Sequence, residues 1–155
     1  MSNFSKIKDF HDASGLENND TMQPNVFINK DLVKLRLDLI NEEFKELQQA
    51  IAEKDFTEVI DALTDILYVT YGAGASFGID LDKSYDIVHK SNMTKFCKTE
   101  EEAKKTVKSY EKDDRYDTPT YRLSKDGKYY VVYNKSSGKI LKSINYTPAN
   151  FKDMF

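Results

Sequence analysis

Acidic residues recur at helical spacing in two neighbouring segments, Glu42-Glu43-Phe44-Lys45-Glu46 and Glu58-Val59-Ile60-Asp61. Side chains three or four residues apart share a helix face, so Glu43 stacks with Glu46, and Glu58 with Asp61 and Asp65. The neighbours of the second group are apolar and belong in a core, where an acidic group is costly unless it is paired or bound to a cation. One or more hard divalent metal ions with oxygen ligands would satisfy such a cluster.

The alternative is a solvated helix face. Acid pairs at this spacing are common on exposed helices, and an E-E-x-x-E segment alone is a weak signal. An E-x-x-D segment inside an apolar helix is harder to explain by solvation, and it favours the metal site.

Two long helices would position these carboxylates. Apolar residues recur at three- and four-residue steps over 32–53, behind Asp31 as the expected N-cap. Asp55 is the expected N-cap of the next helix, which would run to about residue 77 with Gly78 behind it. The connection is so short that the helices must be antiparallel neighbours, with the two acidic groups facing each other.

Shorter helices are expected over 3–12, ended by Gly15, and over 99–112, opened by a capping box. A fourth helix would begin at the N-cap Asp82 and carry Tyr85 and Val88 inward. Glycines at 72, 74 and 78 permit close helix approach or simply weaken the helix end.

The C-terminal third is strand-like. Segments 121–123, 128–133 and 139–141 are separated by the turn pairs Asp126-Gly127 and Ser137-Gly138,. The predicted fold is therefore all-α, an antiparallel helical bundle with a small C-terminal β-hairpin appendage. We expect one domain over 1–155, with a helical body over about 3–112 and a hairpin flap and tail over about 119–155.

Composition excludes several classes of protein. The chain has 155 residues, 32% charged and 39% hydrophobic, and a net charge of −3, so it lacks a general basic field for nucleic acid,. It has no apolar run that suits a membrane span and no signal-peptide pattern at its start, so a cytosolic protein is the expectation. The single Cys97 excludes an internal disulfide and a cysteine-rich zinc site,.

The two acidic segments resemble the E-E-x-x-E and E-x-x-D signature of the all-α nucleoside triphosphate pyrophosphohydrolases. This MazG-like group includes dimeric dUTPases and phosphoribosyl-ATP pyrophosphohydrolases. The closer resemblance is to a MazG-like subgroup with dUTPase-like activity, and it rests on segments 61–72, 88–95 and 138–148. It covers roughly 10–98 plus the tail, and it leaves 99–137, including the strand-rich stretch 113–137, as an insertion of unassigned role.

The resemblance implies hydrolysis between the α- and β-phosphates of a nucleoside triphosphate, with a deoxynucleotide such as dUTP as the preferred substrate, in nucleotide-pool sanitation. It also implies Mg²⁺, with Mn²⁺ as a substitute, and a homodimer or homotetramer. The implied metal ligands are Glu43, Glu46, Glu58 and Asp61. Glu42 is the implied catalytic residue that orients or deprotonates water.

Five further residues are candidates for substrate binding. Asp65 lies one turn beyond the ligands and is an acceptor behind them, a further ligand or a contact to the sugar. Asn92 and Lys95 share a helix face suited to sugar and phosphate oxygens, or they solvate that helix. Lys142 and Tyr146 close over the nucleotide, or they pin the tail to the body.

Phe10, His11 and His89 are weaker candidates, because an aromatic residue near the start of the resemblance either stacks on a base or fills the core. A rival interpretation of the whole chain is a catalytically silent metal- or nucleotide-binding regulatory module. A metal-free helical protein is a more distant third.

Overall fold

The computed structural model describes residues 1–155 and contains five α-helices and one two-stranded antiparallel sheet. The helical architecture with a small C-terminal hairpin is confirmed. The chain divides into two compact units, residues 1–85 with 151–155, and residues 86–150. No helix combines the length and apolar character needed to cross a membrane.

The elements are α1 Asn3–Ser14, α2 Lys30–Glu53, α3 Phe56–Phe77, α4 Leu81–Met93, α5 Glu100–Tyr110, β1 Pro119–Leu123 and β2 Tyr130–Asn134, with short 3-10 turns at Pro24–Ile28 and Lys152–Met154.

The α2–α3 hairpin forms as expected from its short connection. Lys54 alone turns the chain with a left-handed φ of 59°, and Asp55 caps α3 by accepting hydrogen bonds from Thr57 N (2.9 Å) and Glu58 N (3.2 Å). The expected N-cap of α2 is wrong by two residues. The side chain of Asn29 accepts from Leu32 N, and Asp31 lies in the first helical turn, where its charge complements the helix dipole,.

The N-cap expected for α4 is also wrong. Asp80 takes that position and accepts from Lys83 N at 3.1 Å, whereas Asp82 holds two other elements of the first unit. Its carboxylate accepts hydrogen bonds from Tyr71 Oη in α3 (2.7 Å) and from Phe4 N at the start of α1 (3.1 Å). The inward placement expected for Tyr85 and Val88 is not found, because these residues are 70% and 38% exposed.

Close helix approach explains two of the α3 glycines. A Cβ atom at Gly72 would lie 3.2 Å from Arg36 Nη1 and 3.3 Å from His11 Nε2, and one at Gly74 would lie 2.8 Å from Leu81 Cγ. His11 and Arg36 are both buried. A side chain at Gly72 would therefore displace the contact that joins α1, α2 and α3.

The second unit has a core of its own, which the expectation of a simple flap did not include. Cys97, Ala103, Val132 and Leu141 are buried together, with partly buried aromatic residues packed around them. Strands β1 and β2 pair from Pro119↔Asn134 to Leu123↔Tyr130. The third expected strand, 139–141, forms only an isolated bridge through Ile140, since the chain turns away after it.

Candidate functional site

Glu43 is the centre of an acidic cluster on the α2–α3 hairpin. Burial raises the pKa of Glu43, and four neighbouring carboxylates raise it further, in the order Glu46, Asp65, Glu42 and Asp61. Two of these neighbours lie on α2 with Glu43 and two lie on α3. The hairpin therefore brings five of the sequence-predicted acids together across the two helices.

No protein cation neutralises this cluster. None of its members forms an ion pair, and none accepts a hydrogen bond from another side chain. Glu43 Oε2 is buried without any hydrogen-bond partner. An unpaired carboxylate oxygen away from water is costly, so this oxygen is a polar atom that a bound cation would satisfy.

Glu58 joins the cluster through Glu46. Both residues line a cavity of about 310 Å³ near the turn of the hairpin, together with Gln49, Ala50 and Glu53. Ala50 is the small buried residue that lets the two helices approach beneath this cavity. Glu46 therefore acts on the pKa of Glu43 and shares this cavity with Glu58.

The donor set fits a hard divalent cation. All the donors are carboxylate oxygens, which Mg²⁺ prefers, and one of them is buried and unpaired,. No group of three or more histidine, cysteine, aspartate or glutamate side chains already stands at metal-ligand geometry in the chain. Glu46, Glu58 and Asp61 are exposed, so their side chains are free to change rotamer when an ion binds,.

Three predicted substrate-binding residues lie close together in the second unit. Lys142 Nζ stands 4.3 Å from the centroid of the Tyr146 ring, and the backbone of Lys95 accepts a hydrogen bond from Ser143 N at 3.0 Å. The expectation that Asn92 and Lys95 share a helix face is wrong, because α4 ends at Met93 and Lys95 lies in the turn that follows it. Asn92 is exposed near the end of α4. These contacts fasten the tail within the second unit, and they leave the Lys95 ammonium group without an ion pair.

The aromatic and histidine candidates are placed differently from one another. Phe10 is 48% exposed and packs edge-on against Tyr68, with ring centroids 5.6 Å apart. His11 is buried, with Nδ1 2.8 Å from Glu17 O and Nε2 3.5 Å from Arg36 Nη2, and burial lowers its pKa. His89 is exposed in the second unit. Only Phe10 and His89 are therefore accessible to a ligand.

Arg36 is a residue of α2 that the sequence analysis missed. It is buried, its Nε has no hydrogen-bond partner, and burial lowers its pKa. It precedes Glu43 by seven residues, which is two helical turns on the same face. That spacing, in a helix with a polar inner face, was the available signal.

Comparison with known proteins agrees with this geometry. A family model described as phosphoribosyl-ATP pyrophosphohydrolase matches residues 7–92, which include the whole α2–α3 hairpin. An uncharacterized protein of Acanthamoeba polyphaga mimivirus is 29% identical, over an alignment that covers 98% of this chain and 95% of that protein. The family match confirms the resemblance drawn from the two acidic segments.

Proposed function

We propose a specific reaction for this chain, which belongs to the phosphoribosyl-ATP pyrophosphohydrolase family. Membership supports a pyrophosphohydrolase acting on the anhydride of a nucleotide. The proposed reaction is Mg²⁺-dependent hydrolysis of a nucleoside triphosphate between its α- and β-phosphates, which yields a nucleoside monophosphate and pyrophosphate. The observation that carries the proposal is the unpaired acidic cluster around Glu43.

Four carboxylates would hold the metal, namely those of Glu43, Glu46, Glu58 and Asp61. When bound, Mg²⁺ would supply positive charge that offsets the charge of these carboxylates and of the leaving pyrophosphate. Asp65 is one of the neighbours that raise the pKa of Glu43, so it is either a further ligand or an acceptor that orients the ligands. Without a cation, the cluster would repel a triphosphate.

The remaining steps belong to side chains of this chain. Glu42 borders the cluster, and its carboxylate orients the attacking water and accepts its proton,. On the family resemblance alone, we assign phosphate oxygens to the ammonium groups of Lys95 and Lys142, and a sugar or phosphate oxygen to the amide of Asn92. Phe10 presents half of its ring to solvent on the first unit, where a base would stack on it,.

The proposed substrate is a deoxynucleotide such as dUTP, taken from the cytosolic nucleotide pool. The test is pyrophosphate release from a panel of NTPs and dNTPs together with phosphoribosyl-ATP, measured in Mg²⁺ and in EDTA. Release that requires Mg²⁺ and is fastest for dUTP supports the proposal. Fastest release from phosphoribosyl-ATP would assign the substrate that gives the family its name, and no release from any compound would favour the silent regulatory module.

Glu46→Gln tests the ligand assignment in the same assay. The substitution keeps the shape of the side chain and removes the charge that links Glu43 to Glu58. We expect loss of turnover with an unchanged circular dichroism spectrum. Glu101→Gln, which removes a carboxylate from the exposed first turn of α5, is the matched control and should retain turnover. Full activity of Glu46→Gln would contradict the assignment.

We also propose that the chain assembles as a homodimer or homotetramer. Apolar side chains on one stripe of α3 stay exposed in the single chain: Ile60 65%, Leu63 49% and Leu67 59%. A contiguous apolar surface of this kind marks an interface. Ile60→Glu should dissociate the assembly in light scattering, whereas Gln48→Glu, on the exposed surface of α2, should not. A monomeric wild type would overturn this proposal.

A further inference from the structure

The second unit contains a cavity of about 510 Å³ that the proposed reaction does not use. It lies among α4, the start of α5, the residue before β2 and the tail. None of the predicted substrate-binding residues Asn92, Lys95, Lys142 and Tyr146 lines it. Its volume falls within the range of small-molecule sites, which is about 300–1,000 Å³.

Unpaired hydrogen-bond donors surround this cavity. The side chains of His89, Lys90, Lys98 and Tyr129 line it, and none of the four makes a side-chain hydrogen bond or an ion pair within the chain. Two of these groups are ammonium ions, which bind phosphate oxygens as point charges. The free polar groups at the cavity therefore match an anion.

The one carboxylate of the wall is already occupied. Glu102 accepts hydrogen bonds from Lys98 N at 3.0 Å and from the hydroxyl of Ser143. Burial acts to raise the pKa of Glu102, but hydrogen bonds from Ser143, the Lys98 backbone and Asn145, together with the charge of Lys98, hold this pKa below its ordinary value. The Glu102 carboxylate therefore already has hydrogen-bond donors within the protein.

The net charge of the second unit also favours an anionic ligand. Residues 86–150 contain 14 lysine and arginine residues against 9 aspartate and glutamate residues, whereas the whole chain has a net charge of −3. This excess of positive charge attracts anions to the unit as a whole.

Two aromatic rings form a corner of the cavity. The rings of Phe96 and Tyr129 lie 5.9 Å apart between centroids, at 45° to each other, and Met93 lies beside them in the lining. A planar ring gains from packing against such a corner, and a thioether adapts to its shape. The cavity therefore offers apolar packing for a ring next to donors for an anion.

We propose that this cavity binds a ligand that combines a planar heterocycle with a phosphate, such as a nucleoside monophosphate. The ring packs against Phe96 and Tyr129, and the phosphate lies between Lys90 and Lys98. Binding there needs no metal ion, because the cations belong to the protein. The choice of dUMP as the probe rests on the proposed function, since dUMP would be the product of dUTP hydrolysis.

The test is isothermal titration of the full-length chain in EDTA, with dUMP, deoxyuridine and inorganic phosphate as separate probes. We expect dUMP to bind at least about tenfold more tightly than either fragment, since both halves of the cavity contribute. Equal affinity for dUMP and phosphate would reduce the site to a phosphate site, and equal affinity for deoxyuridine would remove the phosphate contact. Either result, or no binding of dUMP, overturns the proposal.

Two double variants test whether the ligand binds in this cavity. Lys90→Ala/Lys98→Ala should weaken dUMP binding by at least about tenfold, because both phosphate contacts are lost. Lys105→Ala/Lys108→Ala removes the same charge from α5, outside the cavity lining, and should change affinity by less than about twofold at moderate salt,. Equal losses in the two double variants would show general attraction to a basic surface and overturn the proposal. The measurement is direct binding without metal, so its outcome is independent of turnover.

Discussion

Replacing Glu43 with glutamine tests the acidic cluster by its effect on stability, and the effect should change sign with the metal. Four carboxylates raise the pKa of Glu43 in the metal-free protein. Glu46, one helical turn away on α2, is a like charge that costs about 0.2–0.5 kcal/mol, and burial and the carboxylates on α3 add to this cost,. Removal of the Glu43 charge should therefore stabilise the metal-free protein by about 1–2 kcal/mol, which raises the melting temperature of a chain of this size by about 2–8 °C.

In Mg²⁺, wild type should become more stable than Glu43→Gln. A ligand at about 100 times its dissociation constant adds about 2.7 kcal/mol to the stability of the protein that binds it. Wild type should gain this stabilisation, whereas Glu43→Gln loses a central ligand and should gain little. The assay is thermal unfolding followed by circular dichroism, in EDTA and in a series of Mg²⁺ concentrations.

Asp9→Asn is the control for the loss of one negative charge. Asp9 is an exposed residue of α1 and is not among the neighbours of Glu43. This variant should follow wild type in both conditions. A lower melting temperature of Glu43→Gln in EDTA, or a response to Mg²⁺ equal to that of wild type, would refute the reasoning.

Three other predictions use the same structure. In EDTA, the melting temperatures of wild type and Glu43→Gln should converge below pH 4.5 and separate as the pH rises, because ionisation of Glu43 is opposed in the folded state, mainly by burial,. Lys95→Ala should raise the KM for the triphosphate about tenfold with a smaller change in kcat, since a phosphate contact is lost. Gly78→Ala should cost about 3 kcal/mol or more, because its Cβ would lie 1.8 Å from Thr21 O, whereas Gly15→Ala, with a similar φ and nothing within 4 Å, should cost about 1 kcal/mol in chemical denaturation,.

Each of these predictions has an outcome that contradicts it. A melting-temperature difference that stays constant with pH would show that Glu43 has no raised pKa. An unchanged KM in Lys95→Ala would place that side chain in solvent. Equal losses in the two glycine variants would show that the left-handed backbone alone, and not the close approach of Thr21, decides the cost at Gly78.

The acidic hairpin was predictable because its signals are local. Helical spacing places Glu43 with Glu46 and Asp61 with Asp65, and a two-residue connection leaves a single antiparallel arrangement,. The glycines that end α1 and α3 were equally predictable, since Gly15 and Gly78 adopt the left-handed conformation that ends a helix,. These features follow from backbone geometry over a few residues.

The N-caps of α2 and α4 were missed for a different reason. Each helix start offers two polar residues within three positions, and both are chemically able to cap. At α4 the choice depends on distant partners, since Tyr71 and Phe4 already engage Asp82 and leave the cap to Asp80. A single sequence does not display such tertiary competition.

The core of the second unit lay beyond sequence periodicity for a related reason. Its members come from four separate segments, and each contributes only one or two apolar residues, as Cys97, Ala103, Val132 and Leu141 do. The strands alone are too short to signal a stable sheet. Packing against α5 supplies the missing apolar surface, and that pairing is a long-range contact.

The exposed apolar stripe and the acidic cluster of α3 are adjacent, and this has a consequence for the proposed assembly. Ile60 precedes Asp61, and the stripe of Ile60 and Leu67 lies about 100° around the helix from the acids,. A second copy seated on the stripe would exclude water from its rim and so lower the local dielectric around the carboxylates. Their mutual repulsion would then increase, and so would the stabilisation that a bound cation provides.

Assembly and metal binding should therefore reinforce each other. Mg²⁺ should shift the dissociation of the oligomer to lower protein concentration in sedimentation analysis, and this shift should be absent in Glu43→Gln. A wild-type dissociation constant that is the same in Mg²⁺ and in EDTA would separate the two surfaces.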